Sequence, residues 1–410
     1  MHVMLALAAV IVAGYLLGRL FRYIGQPPVI GEVVAGIVLG PSLLGRVAPH
    51  VAAFIMPTTV APYIGIIAQF GIILYMFLLG LELNLGQIRE RAGTVLTIGT
   101  ASIAAPFMFG SALALFLYPR LSTGDVPFTS FALFLGVAMA ITAFPVLARI
   151  LADRQMQRTR LGTLALSCAA LNDVAAWCLL ALVVGVAQAK VGSALLVLVW
   201  TATFIAAMFL VVRPLVHRWL ASESADGGKP HAAEEPGSGT ITLVFIAMLI
   251  SALTAEFIGI HAIFGAFLLG AIIPHDSKIA EFFIRKLEDL VTIVFLPAFF
   301  AFTGMRTQIG IVSSGEDWLL CGLIIAVATV GKFGGTFVAA RMTGQSNREA
   351  AALGTLMNTR GLMELIVLNI GLDMGVISPR LFAMLVIMAL ATTIATTPVL
   401  HFLKRDSKAK

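Results

Sequence analysis

The chain is 410 residues long, 59% hydrophobic and only 12% charged, with a mean hydropathy of +0.99 and a net charge of +6. That composition excludes a soluble globular fold, and apolar runs of about 20 residues from end to end mark a polytopic α-helical membrane protein. The positive balance calls for no nucleic-acid partner, because it gathers in the loops of one membrane face. Cys168, Cys178 and Cys321 all lie in apolar segments and suit small core residues, which sets aside a disulfide framework or a cysteine metal site.

Thirteen spans are predicted, at about 3–21, 27–43, 60–81, 93–117, 127–149, 160–186, 192–213, 240–256, 259–274, 285–304, 317–340, 349–372 and 380–403. Loops on one side, with the C-terminus, hold 20 of the 27 Lys and Arg; the other side holds five, Arg46, Arg120, Lys190, Arg306 and Arg380. This split places the N-terminus outside and the C-terminus in the cytoplasm, as in a bacterial inner membrane. Met1–Leu20 lacks a basic leader and a small-residue cleavage site, so it is expected to stay as the first span.

Span 2 carries Glu32 within two turns of its cytoplasmic end, and Glu82 closes span 3. Both suit a cytoplasmic funnel or a simple interfacial position. Span 5 is interrupted at Thr142-Ala143-Phe144-Pro145, where Pro145 cannot donate its N–H and crowds the preceding turn. Span 6, LGTLALSCAALNDVAAWCLLALVVGV, holds Asn172 and Asp173 in otherwise apolar surroundings. A carboxylate at that depth costs several kcal/mol, roughly, and persists mainly where it serves an ion pathway; the plainer reading is a polar pair joining two helices. The polar stretch Ala221–Thr240 then forms a flexible cytoplasmic linker between two halves. Past it, Glu256 and His261 flank an outer turn and are expected at the surface.

Lys332 in span 11 lies nine residues inside Arg341, about 14 Å, and Asp173 lies 13 residues inside Arg160, about 20 Å. A lysine side chain spans most of the difference, so the two can pair and lower each other's cost. The pair is either structural or one in which a transported ion displaces the lysine. Span 12 is interrupted at Asn358-Thr359-Arg360-Gly361, with Glu364 one turn on and able to neutralise Arg360. No cytoplasmic domain is expected beyond span 13.

The halves resemble each other. GEVVAGIVLGPSLLG (31–45) in span 2 answers HAIFGAFLLGAIIP (261–274) in span 9, Gly80 of span 3 answers Gly304 of span 10, and the breaks of spans 5 and 12 correspond. Partner spans lie seven apart, an odd number, so the second half is inverted in the membrane. Inverted repeats with broken helices at matching positions are the architecture of secondary transporters. Freed backbone groups at membrane depth are tolerated only where protein or a wet cavity surrounds them. The half-helix ends would be balanced by Asp173, Lys332 and Arg360.

ITAFPVLARIL (141–151), LSCAALNDVAAWCLLAL (166–182), VGKFGGTFVAAR (330–341) and MNTRGLMELIVLNIGLD (357–373) closely resemble the monovalent cation:proton antiporter-2 family, most of all its CHX-type exchangers. GQPPVIGEVVAGIVLGPSLLG (25–45) and FLLGLELNL (77–85) resemble its other shared segments, so the likeness runs the whole chain. It implies an all-α sodium/proton antiporter fold and a homodimer, with spans 1–3 and 8–10 (about 1–85 and 240–306) as dimerisation scaffold. Spans 4–6 and 11–13 (about 93–186 and 317–403) would form the moving core, and 187–239 a linker helix and loop. It implies that Asp173 binds the cation or the proton, with Asn172 beside it, Thr142 supplying the hydroxyl of the broken helix and Lys332 the basic residue of span 11. The family's larger members carry a C-terminal cytoplasmic domain, so nucleotide gating is not carried over. Asn-Asp stands where electrogenic relatives have Asp-Asp, which implies electroneutral exchange.

The expected activity is exchange of Na⁺ or K⁺ for H⁺ by alternating access, with Asp173 holding one or the other and no cofactor besides the transported ions. Thr142 and freed carbonyls would replace part of the cation's hydration shell. The alternative is a gated monovalent-cation channel, against which stands the lack of a TVGYG-like filter. A membrane-embedded enzyme is a third reading; against it, the Asp-Asn pair and the scattered histidines give no nucleophile–base–orienter set.

Overall fold

The computed structural model describes residues 2–57, 59–82, 92–124, 126–157, 159–188, 191–226 and 236–405. Residues 83–85 of the FLLGLELNL segment, Lys190, 227–235 of the linker and the chain end beyond 405 lie outside the described residues. Among the described residues every regular element is a helix, and each apolar run counted above is helical over most of its length.

The long elements are α1 (His2–Tyr23), α2 (Pro28–Leu39), α3 (Ala61–Glu82), α4 (Ala92–Leu121), α5 (Phe128–Ala140), α6 (Phe144–Asp153), α7 (Arg160–Gln188) and α8 (Val191–Ala207). A π-turn, Met208–Val212, leads into α9 (Arg213–Asp226), followed by α10 (Ser238–Ile258), α11 (Ala262–Ile272) and α12 (Lys278–Leu290). A second π-turn, Val291–Phe295, joins α12 to α13 (Leu296–Arg306); then come α14 (Gly315–Met342), α15 (Asn347–Met357), α16 (Leu362–Asp373) and α17 (Pro379–Arg405). Among the described residues, ten helical stretches are long and apolar enough to cross a membrane, and two shorter apolar helices, Phe128–Ala140 and Ala262–Ile272, lie between them. Large apolar side chains point outward, as Phe257 does at 97% exposure, which suits a lipid-facing surface.

Local chemistry sets the helix ends. α2 opens on Pro28, whose missing N–H is not needed there. Ser314 with Asp317 and Ser346 with Glu349 form capping boxes that start α14 and α15.

The chain packs as two compact units: Met1–Ala61, Gly86–Val183 and Phe300–Lys410 make one, and Pro62–Leu85 with Val184–Phe299 the other. In the first, glycines let α2 and α13 cross backbone on backbone: a Cβ on Gly304 would stand 2.1 Å from the Gly36 carbonyl carbon. In the second, α3 and α11 cross in the same way, and a Cβ on Gly80 would stand 2.3 Å from the Phe267 carbonyl oxygen. Such contacts let membrane helices gain dispersion energy without a hydrophobic driving force.

The first unit holds both broken helices. α5 and α6 are separated at Ile141–Ala143, and α15 and α16 at Asn358–Gly361. The first gap differs from the sequence reading. Phe144 and Pro145 are the opening residues of α6, not part of the break, because a proline in a helix's first turn forfeits no hydrogen bond. Small and branched residues, among them Ala143, Leu147, Ala165, Ala169, Ala339 and Leu353, bury α6 and α15 against their neighbours.

Candidate functional site

The two gaps meet. The backbone N–H of Ala143 donates to the Thr359 carbonyl at 3.0 Å, and the Thr142 hydroxyl donates to the Met357 carbonyl at 3.0 Å. Four half-helix ends therefore converge deep in one unit, two bringing unpaired N–H groups and two bringing unpaired carbonyls.

α7 presents Asn172 and Asp173 to this point, 0% and 2% exposed. The Asn172 amide lies 2.8 Å from Ser102 Oγ and 3.2 Å from Thr142 Oγ1. The orientation that satisfies both its ends has the nitrogen donating to the carbonyls of Gly99 (3.0 Å) and Cys168 (3.2 Å) while the oxygen accepts from the Ser102 hydroxyl at 2.8 Å; the single Thr142 proton stays with the Met357 carbonyl. Asn172 is thus a fixed strut between α4, α7 and the α5–α6 gap. The Asp173 carboxylate accepts the backbone N–H of Phe144, at the positive N-terminal end of α6, and its Oδ1 has no partner among the described residues.

The C-terminal carbonyls of α5 are met by two cations. Arg360 donates from Nη1 to Ala138 O at 2.9 Å and from Nη2 to Met139 O at 2.7 Å, and Lys332 Nζ donates to Ala140 O. Arg360 also pairs with Glu364, Nη1 to Oε2 at 3.3 Å, both fully buried. Glu364 sits in the first turn of α16, where a negative charge answers the helix's N-terminal end. The Thr393 hydroxyl brackets Arg360, accepting from its N–H at 2.9 Å and donating to its carbonyl at 2.7 Å. Lys332 lies in electrostatic range of Asp173, Glu364 and Arg360, but none of the ion pairs among the described residues joins it to Asp173. Its hydrogen bond goes to a helix end instead, so it acts on the carboxylate through space.

Gly361 opens α16 in extended backbone, and a Cβ there would stand 2.8 Å from Val146 Cγ2 on α6. Asn358 and Thr359 are buried, and Asn358 Oδ1 and Thr359 Oγ1 have no hydrogen-bond partner among the described residues. Glu32 stands apart from the crossing. It is half-buried on α2 and lines a cavity of about 450 Å³ with Tyr15, Arg19, Arg22 and Tyr23. Glu82 belongs to the other unit, exposed at the end of α3 within electrostatic range of Glu288. Glu256, exposed as expected, accepts from the Ala262 N–H at 2.7 Å and so closes the start of α11. Sequence reasoning missed Ser102 and Thr393. A lone hydroxyl in an apolar helix can always bond its own backbone, so neither announced its partner.

The sequence model of the transmembrane sodium/hydrogen exchanger family matches residues 7–404. The chain is 43% identical over 386 residues to a Na⁺/H⁺ antiporter, NhaS4, of Synechocystis, a match that covers 94% of this chain and 92% of that one. It is 40% identical to cation/H⁺ antiporter 20 of Arabidopsis thaliana and 36% identical to K⁺/H⁺ antiporter 1 of Saccharomyces cerevisiae; the matches cover 98% and 94% of this chain but only 48% and 44% of theirs. The chain thus spans about half the length of these plant and yeast relatives. Its fold is shared with the sodium proton antiporter MjNhaP1 of Methanocaldococcus jannaschii, at a TM-score of 0.70 and 15% identity over 98% of this chain and 96% of that one. With nearly its whole length matched by the family model, the chain belongs to the transmembrane sodium/hydrogen exchanger family.

Proposed function

We propose that this member of the sodium/hydrogen exchanger family, a cation/proton antiporter of the membrane, exchanges one Na⁺ or K⁺ for one H⁺ at Asp173. The observation that carries the reading is the Asp173 carboxylate itself. It is 2% exposed, held at one helix end, and has an oxygen left unpartnered. Such a group takes a proton or a cation and not both, so each change of access carries one or the other. Asn172 fixes α7 at the crossing, and Thr142 holds the broken helix in place beside it.

Charge supports one-for-one exchange. Arg360 offsets Glu364 and Lys332 offsets Asp173, while the four helix ends cancel in pairs. A proton or a monovalent cation added to Asp173 then leaves the same net charge. Asn172, locked by its neighbours, offers no second acid.

The wider architecture we propose has thirteen spans in two inverted repeats, the N-terminus outside and the C-terminus in the cytoplasm. Its support is the pair of gaps at matching positions and the two glycine crossings, which join spans 2 and 10 and spans 3 and 9, the pairs that the repeat interchanges. Spans 1–3 and 8–10 would be the scaffold of a homodimer and spans 4–6 and 11–13 the moving core. Family membership favours this over the gated channel.

The test is proton flux in proteoliposomes driven by a cation gradient. Asp173→Asn abolishes exchange while the protein stays folded, and Asp173→Glu keeps part of it. Undiminished cation-dependent proton flux in Asp173→Asn overturns the reading.

A further inference from the structure

We propose that Thr359 Oγ1 and Asn358 Oδ1, at the C-terminal end of α15, complete the coordination of the transported cation beside Asp173. The proposal rests on Asp173 being the exchange site and names ligands for it.

The four helix ends at the crossing are not served alike. The N-terminal end of α6 has Asp173, and that of α16 has Glu364. The C-terminal end of α5 has both cations, Arg360 and Lys332, on three successive carbonyls. The C-terminal end of α15 bears the same partial negative charge, yet among the described residues its last carbonyl, Met357 O, accepts only the neutral Thr142 hydroxyl. At this end lie two further oxygens, Asn358 Oδ1 and Thr359 Oγ1, buried and without a hydrogen-bond partner. Thr359 is 0% exposed and Asn358 7%. A buried oxygen left so has lost its hydration without replacement, and two on one carbonyl-rich end make a place that lacks a positive charge.

The position suits the cargo. Phe144 gives its N–H to Asp173, and the preceding residue, Ala143, gives its N–H to the Thr359 carbonyl. Neighbouring Cα atoms are about 3.8 Å apart, so Thr359 and the Asp173 carboxylate flank the same residue-length of chain. A cation held between them would lie at the one helix end without a fixed counter-charge, where half-helix C-termini and unwound backbone take up monovalent cations. Both added ligands are neutral, so the charge argument for one-for-one exchange is untouched. With Asp173 protonated the seat is empty and its oxygens are unsatisfied, which biases the site towards cation uptake.

The test measures proton flux in proteoliposomes against increasing Na⁺, K⁺, Rb⁺ and Li⁺ for Thr359→Val, Thr359→Ser, Asn358→Ala and, in parallel, Asp173→Asn. Thr359→Val is expected to raise the half-saturating cation concentration about tenfold, the loss of one ligand to a charged group, and to change the preference among the four ions. Thr359→Ser, which keeps the hydroxyl, restores half-saturation to within about twofold. Asn358→Ala shifts it in the same direction as Thr359→Val. Unchanged half-saturation in folded Thr359→Val, or equal impairment in the Val and Ser variants, overturns the proposal. Should Thr359→Val not fold, Asn358→Ala decides by the same criterion. If Asp173→Asn is inactive while these variants bind cations normally, only the ligand assignment falls; if Asp173→Asn still exchanges, the site itself falls.

Discussion

The N–H of Ala143 donates to the Thr359 carbonyl at 3.0 Å, so a single backbone hydrogen bond ties the gap of one broken helix to the gap of the other. Neither residue contributes a side chain to that link, and the rest of the site is arranged around it. Thr142 and Met357 make a second tie beside it. Residues that bring the two gaps together should therefore matter as much as those that carry charge.

Gly361 is the clearest case. Its backbone is extended, a conformation any residue adopts, so only space is at stake. Gly361→Ala drives a methyl against Val146 Cγ2 at 2.8 Å and is expected to cost about 1–3 kcal/mol of stability. Thermal melting in detergent measures it, and Val146→Ala in the same chain recovers most of the loss. No recovery would mean that the contact is not the cause.

The buried Arg360–Glu364 pair predicts asymmetric damage. Arg360→Met strands Glu364 and leaves the Ala138 and Met139 carbonyls unpaired, at about 3–5 kcal/mol. Arg360→Lys keeps the charge but cannot fork to both carbonyls, so it melts between the wild type and the Met variant. Identical melting of Lys and Met variants would show that charge plays no part.

Exchange should be blind to membrane potential. One uncompensated charge carried across would be worth about 2.3 kcal/mol per 100 mV. With Lys332 keeping its proton, the site has one charge in both loaded states, and flux at fixed ion gradients stays constant as the potential is varied. Asn172→Asp adds a second acid and makes the rate follow the potential. A wild-type rate that tracks voltage rules out one-for-one exchange.

Arg306 pairs with Asp373, but the Asp373 side chain is 63% exposed. Asp373→Asn is therefore expected to shift stability by no more than about 1 kcal/mol, within the range of exposed ion pairs. Melting of this variant beside Arg360→Met shows how far burial, not charge alone, sets the scale.

The sequence by itself determined the membrane class, the helical content, the position of the span 12 break and the buried charges near the two gaps, though not Asp317, which is 3% exposed. These follow from local rules: apolar runs of membrane length, residues that cannot sit in a helix interior, and the cost of a charge at depth. The i, i+4 spacing of Arg360 and Glu364 was enough to expect their contact. It could not say what Lys332 touches, because depth along a helix leaves the rotation about its axis open; the lysine meets Ala140 and not Asp173. Nor could it tell that Pro145 starts a helix instead of breaking one, since the same residue type does either according to its place in the first turn. Ser102 against Asn172, Thr393 around Arg360, and the two unpartnered oxygens of Asn358 and Thr359 were decided only by the tertiary structure. Hydrogen bonds between side chains far apart in the chain depend on how the helices cross, and no local pattern encodes a crossing.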